Sequence, residues 1–314
     1  MFRKIARDVR DSLSGNPAYI FNDIGKDPWL DPVGRVRFLG RIGVSFAPLD
    51  HNGIPVVIDS RSGARGYRPG RVASYALACW NKYRQTGDGI YGDVFLNCAD
   101  WFMKFENGQF PSNSQSGSSN TRSLSGLSQG MGISVLVRAG LLTQDDRFVV
   151  QSRKALQPML SSIEKGGVAT RLDDGSFFIE EYPQNPRHVL NGYLAAVFGI
   201  LDLHRIDPCP RTKTVVDDCW ATLNSNIKSW NLDGWSAYDL HNYRGGGYRN
   251  FSTSSYHSLH IVQLEYAFTQ TKAPLIQEVS MLWQDSFERT TTRMQTLLGK
   301  MRYRIRERLC HNAG

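Results

Sequence analysis

The residues of this chain best suited to chemistry fall into short clusters: Ser128-Gln129-Gly130, Glu180-Glu181-Tyr182-Pro183, Leu190-Asn191-Gly192, Tyr238 to Arg244 (YDLHNYR) and Tyr256 to His260 (YHSLH). Carboxyls and phenols exchange protons. Arginine, histidine, asparagine and glutamine bind hydroxyls and carboxylates, and aromatic faces suit the C–H faces of sugar rings. The combination suits a ligand that offers sugar rings, hydroxyls or carboxylates. For any one of the 13 tyrosines taken alone, the competing reading is a core residue with a hydrogen-bonded hydroxyl.

Other chemistries lack their signatures. There is no Walker loop, no HExxH and no paired CxxC. Gly245 to Gly247, in HNYRGGGYRN, have neither the strand-to-helix setting nor the Lys-Ser/Thr of a phosphate loop and read as a tight turn. His257 and His260 share a helix face, but two ligands without a third do not make a metal site.

Helices must carry most of these clusters. Helical periodicity runs through 72–82, 94–105, 124–142, 145–163, 188–204, 214–230, 256–269 and 274–309, a series that predicts stacked helical hairpins. The segment VLNGYLAAVFGILDL at 189–203 is apolar nearly all round and belongs to an inner layer. The expected fold is therefore mainly α: an α/α toroid, or incomplete α/α barrel, whose helix-end polar clusters face a central cleft. A small N-terminal β-hairpin is expected around RVRFLGRIGVSFAPL and His51-Asn52-Gly53, and an inserted one at 168–182 with its turn at Asp174-Gly175. Residues 1–69 form the N-terminal helix and hairpin region, and 70–314 the toroid. The Ser/Asn/Gly-rich stretch 111–123 has loop composition.

A formal charge of +8 and a pI near 9.3 favour an anionic partner without choosing among nucleic acid, glycan and phospholipid. Five unpaired-looking cysteines argue for a reducing compartment. The N-terminus lacks the apolar core of a signal peptide, and no apolar run reaches the ~20 residues of a membrane span. The expected location is cytoplasmic. Phe2, Ile5, Val9 and Leu13 form one stripe beside Arg3, Lys4, Arg7 and Arg10, read as a docking helix, with peripheral contact at the inner membrane face as the alternative. Near the C-terminus, Lys300, Arg302, Arg304, Arg306 and Arg308 accompany an apolar stripe through Leu298, Met301, Ile305 and Leu309, read as a packing or homodimer surface.

In order and spacing, NGIPV (52–56), YRPGRVASYAL (67–77), FLNCADW (95–101), SQGMGISVLVRA (128–139), FIEEYPQNPRHVLNGYLAAVFGILDL (178–203), AYDLH (237–241) and YHSLHIVQL (256–264) resemble the C-terminal domain of the D-glucuronyl C-5 epimerases. The resemblance covers roughly residues 50–270 and implies an isomerase that converts glucuronate to iduronate within a heparosan-like polysaccharide. It implies Glu181, Tyr182 and Tyr256 as the acid/base set, with Tyr238 close by. Gln129, Asn191, His241, Arg244, His257 and Tyr67 are the expected substrate-binding residues, His241 standing where the family usually has arginine. His241, His257 or Arg244 are expected to lower a phenol pKa from near 10 toward 7, a shift of about 4 kcal/mol. The resemblance also implies a compact, microbial-type member.

The reaction so implied removes the C-5 proton and returns one to the opposite face, so neither cofactor nor metal is expected. The partner is an acidic polysaccharide or lipid-linked glycan, not nucleic acid, which would explain the charge but not the clusters. Arg61, Arg65, Arg68 and Arg71 read either as a polyanion track or as a solvated face. Two alternatives stay open: a uronate lyase, which starts with the same proton abstraction, and a non-catalytic protein that binds acidic glycans.

Overall fold

The computed structural model describes residues 2–22, 24–25, 27–35, 46–59, 62–112, 114–115, 123–241 and 249–311. Arg61, Arg244, the glycine triplet, much of the RVRFLGRIGVSF segment and most of the Ser/Asn/Gly-rich stretch lie outside them.

The core is a series of helical hairpins: α2 (Pro69–Thr86) with α3 (Gly89–Met103), α4 (Gly126–Thr143) with α5 (Asp146–Leu160), α6 (Leu190–Ile206) with α7 (Pro210–Asn226), and α8 (Ser254–Thr271) with α9 (Pro274–Glu288). Each start has a local cause. Proline occupies the first turn of α2, α7 and α9, where its missing N–H costs nothing, and Asp88, Ser125, Asp145 and Thr253 cap α3, α4, α5 and α8 through their side chains. Gly87, in the left-handed region at φ 71°, closes α2.

The first member of each pair forms the inner layer. Helices α2, α4, α6 and α8 pack in that order, with α3, α5, α7 and α9 outside. Helix α6 is buried over almost its whole length, as its apolar sequence requires. Its crossing with α4 is close because Gly199 lies against the Gly130 backbone, where any Cβ would collide. Across the same crossing Arg138 Nη1 donates to Asp202 Oδ2 at 2.6 Å, with both side chains shielded from solvent. Removing one partner of such a buried pair typically costs about 3–5 kcal/mol.

The inserted hairpin forms where the sequence places it. Strands β6 (Ala169–Arg171) and β7 (Phe177–Ile179) pair antiparallel, and Gly175 adopts φ 83° in the turn. The His51–Gly53 turn also forms, with Gly53 at φ 75° and its N–H donating to the Asp50 carbonyl. It leads to β3 (Val57–Ile58), which pairs with β4 (Arg65–Tyr67), and β4 pairs in turn with β5 (Ser114–Gln115).

The N-terminal residues pack onto this layer. Helix α1 (Phe2–Ser14) lies against α8 and the C-terminal helix α10 (Thr290–His311). Strand β1 (Tyr19–Phe21), paired with β2 (Val33–Arg35), packs on α8, while Asp31 N–H donates to Asn81 of α2 at 2.8 Å. The hairpin thus bridges the two ends of the inner layer. The single helix expected at 274–309 is two helices. Arg289 is extended at ψ 114°, and Arg293 donates to the terminal carbonyls of α9 at Phe287 (2.5 Å) and Glu288 (2.8 Å), satisfying groups a continuous helix would have bonded itself.

Candidate active site

A cleft of about 730 Å³ occupies the centre of the inner layer. Each inner helix contributes one stripe at helical spacing: Arg71, Ser74 and Ala78 from α2; Leu127, Met131 and Ser134 from α4; Asn191, Ala195 and Phe198 from α6; Tyr256, Leu259 and Gln263 from α8. The first turns of all four helices reach the cleft at Gly70, Leu127, Asn191 and Tyr256. The positive ends of the four helix dipoles lend this end positive potential.

Glu180 and Glu181 leave strand β7 with different tasks. Glu180 is fully buried; its carboxylate accepts from the backbone N–H of Arg187 and of His188, and its carbonyl accepts from Gly126 N at the start of α4. That anchors the loop. Glu181 instead lines the cleft, 8% exposed, with Oε2 buried and lacking a hydrogen-bond partner. Desolvation pushes its pKa up to about 7, with the charge of Glu180 adding to the rise and the Tyr182 hydroxyl partly opposing it. A carboxyl poised there can take up or release a proton near neutrality.

Tyr182 and Tyr256 also line the cleft and are 40% and 39% exposed. Tyr238 does not line it, but its ring meets that of Tyr256 edge-on, with centroids 5.1 Å apart, and its hydroxyl interacts with that of Tyr182. The phenols of Tyr182 and Tyr238 are raised above their ordinary values, first by burial and then by the Glu181 charge. This reverses the expectation of a phenol drawn down toward 7. The group tuned to neutral pH is the carboxyl, and these two phenols are neutral donors.

Several expected ligand-binding residues are placed elsewhere. Gln129 is fully buried, its amide donating to the carbonyls of Gly108 (2.9 Å) and Ala155 (2.8 Å) and accepting from Phe110 N. It ties the α3–α4 connection to α5 instead of facing the cleft. His257 is also core: it stacks on Trp235 at 3.6 Å, its Nδ1 accepts from Ser236 N and its Nε2 lies 3.0 Å from the Trp283 carbonyl. Burial holds its pKa well below 6.5, so it is neutral and supplies no cation. Tyr67 donates its hydroxyl to Asp50 at 2.8 Å and does not line the cleft. His241 is exposed and away from the lining, and Arg244 lies outside the described residues.

Asn191 does reach the cleft, with Oδ1 buried and unpartnered. Gln263 joins it: its amide donates to the Asn191 carbonyl at 3.1 Å, which turns Oε1, also buried and unpartnered, the other way. Sequence reasoning missed Gln263, although it lies seven residues after Tyr256 on the same helix face. Of the expected arginine track, Arg68 and Arg71 line the cleft, joined by Lys82. Among the described residues no group of His, Cys, Asp and Glu is arranged to hold a metal, and no helix is long and apolar enough to cross a membrane.

The fold is an α/α toroid whose cleft brings together one carboxyl, Glu181, and two phenols, Tyr182 and Tyr256. The chain belongs to the D-glucuronyl C5-epimerase C-terminal family, whose model matches residues 99–285, more than half of its length. It is 26% identical over 174 residues to a D-glucuronyl C5-epimerase of Caenorhabditis elegans, an alignment that takes in 51% of this chain and 28% of that protein. Two solved structures share the fold. One is the Lin0763 protein of Listeria innocua, at 12% identity and TM-score 0.50, covering 76% of this chain and 73% of that one. The other is an unsaturated glucuronyl hydrolase specific for heparin, at 15% identity and TM-score 0.50, covering 70% and 61%.

Proposed function

We propose that this chain inverts C-5 of D-glucuronate residues within an acidic, heparosan-like polysaccharide, giving L-iduronate. The observation that carries this is the meeting of Glu181, Tyr182 and Tyr256 on one cleft, with the carboxyl of Glu181 raised to about 7. The reaction needs one group that takes a proton from carbon and another that returns one from the opposite face. Glu181, on the loop after β7, and Tyr256, on the first turn of α8, approach the cleft from different elements and suit these two tasks.

The steps follow from the residues. Ionised Glu181 accepts the C-5 hydrogen as a proton, leaving its electron pair delocalised into the adjacent carboxylate as a planar intermediate. The Tyr256 phenol donates a proton to the other face and is restored from solvent, to which Glu181 releases the proton it took. The intermediate concentrates negative charge on an acid group that was already anionic, so fixed donors stabilise it. Arg68, Arg71 and Lys82 supply positive charge along the cleft, the inner helices add the positive ends of their dipoles, and Asn191 Oδ1 and Gln263 Oε1 accept from sugar hydroxyls. No redox change occurs, because a proton leaves and a proton returns.

Incubation with heparosan in deuterated water, read by NMR, tests the reading. Deuterium at C-5 with iduronate signals is expected. An unsaturated, ultraviolet-absorbing product would instead identify a lyase, and binding without exchange a glycan-binding protein.

A further inference from the structure

Behind the phenols lies a charged group that the proposed chemistry has not yet used. Lys300, on α10, is 9% exposed, and its ammonium stands 5.1 Å from the Tyr238 ring centroid and 2.6 Å from Asn250 Oδ1. Asn250 grips the segment bearing Tyr238 twice: its carbonyl accepts from Tyr238 N at 2.8 Å, and its amide donates to Asp239 Oδ2 at 2.8 Å. Glu307, two turns further along α10, is 3.0 Å from Arg187, which precedes the loop into α6 and lies 3.8 Å from Asp239. One face of α10 thus holds both polypeptide segments that frame the acid/base cluster. This helix lies beyond the residues matched to the family.

The geometry points to Lys300 as a positioning residue for the reaction: it fixes Tyr238 through Asn250 and sets a buried positive charge behind the Tyr238, Tyr182 and Glu181 cluster. This rests on the reading that the cluster moves a proton. Such a charge opposes the negative charge left on Tyr256, whose ring meets that of Tyr238, when its phenol gives up a proton, and a low-dielectric setting enlarges the effect. The charged groups around the ammonium are Asp239 and Arg187 from the loops, Arg304 and Glu307 from α10, and Lys4 and Asp8 from α1, Asp8 being paired with Arg304. Desolvation lowers Lys300 to about 8. Its charge is therefore lost just above neutral pH, whereas an arginine in its place would stay charged.

The test uses the full chain labelled with ¹³Cζ-tyrosine, the Tyr238 signal being assigned with Tyr238→Phe. In the unaltered protein that signal should move with a midpoint near pH 8, and in Lys300→Arg that midpoint should vanish. A Tyr238 signal with no step near pH 8 beside the one near 7 that Glu181 imposes in both proteins, or with the same step near 8 in both, overturns the proposal without requiring any variant that removes the charge. With heparosan, Lys300→Gln should lower kcat for C-5 exchange about 10-fold or more with KM nearly unchanged, and Lys300→Arg should keep activity to higher pH. Unchanged kcat in a folded Lys300→Gln protein also overturns it. Should the unaltered protein show no exchange while Tyr238 follows Lys300, the Lys300–Tyr238 link stands and the epimerase reading falls.

Discussion

Gly192 makes room for Glu181. A methyl group built at Gly192 would lie 2.5 Å from Glu181 Oε2 and 2.7 Å from its Cβ, so the first turn of α6 is shaped around the carboxyl. Gly192→Ala should displace the carboxyl by a fraction of an ångström, a shift that costs about 10–100-fold in rate where a reacting group is misplaced. The accompanying loss of stability should be about 1–3 kcal/mol, as for other overpacked sites. Steady-state kinetics with thermal unfolding checks both, and unchanged kcat would show that the carboxyl can move freely.

The raised Glu181 pKa makes stability depend on pH with a definite sign. Below the unfolded value of 4.5 the group is protonated in both states. Between there and about 7 the folded chain holds a proton that the unfolded chain has released, so stability falls as pH rises. The cost at pH 8 is at most ~3 kcal/mol. Glu181→Gln, permanently neutral, should therefore be more stable than the parent at pH 8 and no more stable at pH 4, by denaturant unfolding at each pH. Equal stability at pH 8 would mean that the carboxyl is not desolvated. The rate should show the matching acid limb, with kcat rising as pH passes about 7.

Gln129 should behave as a structural residue. Gln129→Leu leaves Phe110 N and the carbonyls of Gly108 and Ala155 without their partner, a loss on the order of 3 kcal/mol. KM of the protein that remains folded should not change. A raised KM at unaltered stability would return Gln129 to the binding set.

Arg68 and Arg71 should act on binding. Replacing both with serine should raise KM several-fold with little change in kcat, the pattern of lost uniform binding. Raising salt should shrink the difference, chiefly through Arg68, which is exposed where Arg71 is half-buried, since exposed charges are screened over about 8 Å at physiological ionic strength.

Much of the fold was legible because its causes are local. Helical period, first-turn prolines and the Asp174-Gly175 turn place the hairpins, and the uniformly apolar 189–203 marks an inner helix, as found for α6. The break at Arg289 was not legible: the periodicity runs through it, and it exists because Arg293 caps α9 from outside. In the site, Glu181, Tyr182, Tyr238 and Tyr256 do assemble. Gln129 and His257 belong to the same motifs but point from the other side of their helices into the core, and a cluster in sequence does not show which side faces the ligand. Lys300 belongs to a basic helix end that reads in sequence as a packing or homodimer surface; only the packing of α10 on the Tyr238 segment reveals its ammonium as buried behind that phenol.

The most direct test is C-5 hydrogen exchange into heparosan in deuterated water by Glu181→Gln, compared with the parent protein under the same conditions. The variant should be folded, should bind the polymer, and should exchange at least about 100-fold more slowly. Exchange at the parent rate in a folded Glu181→Gln protein would show that the proton passes through some other group.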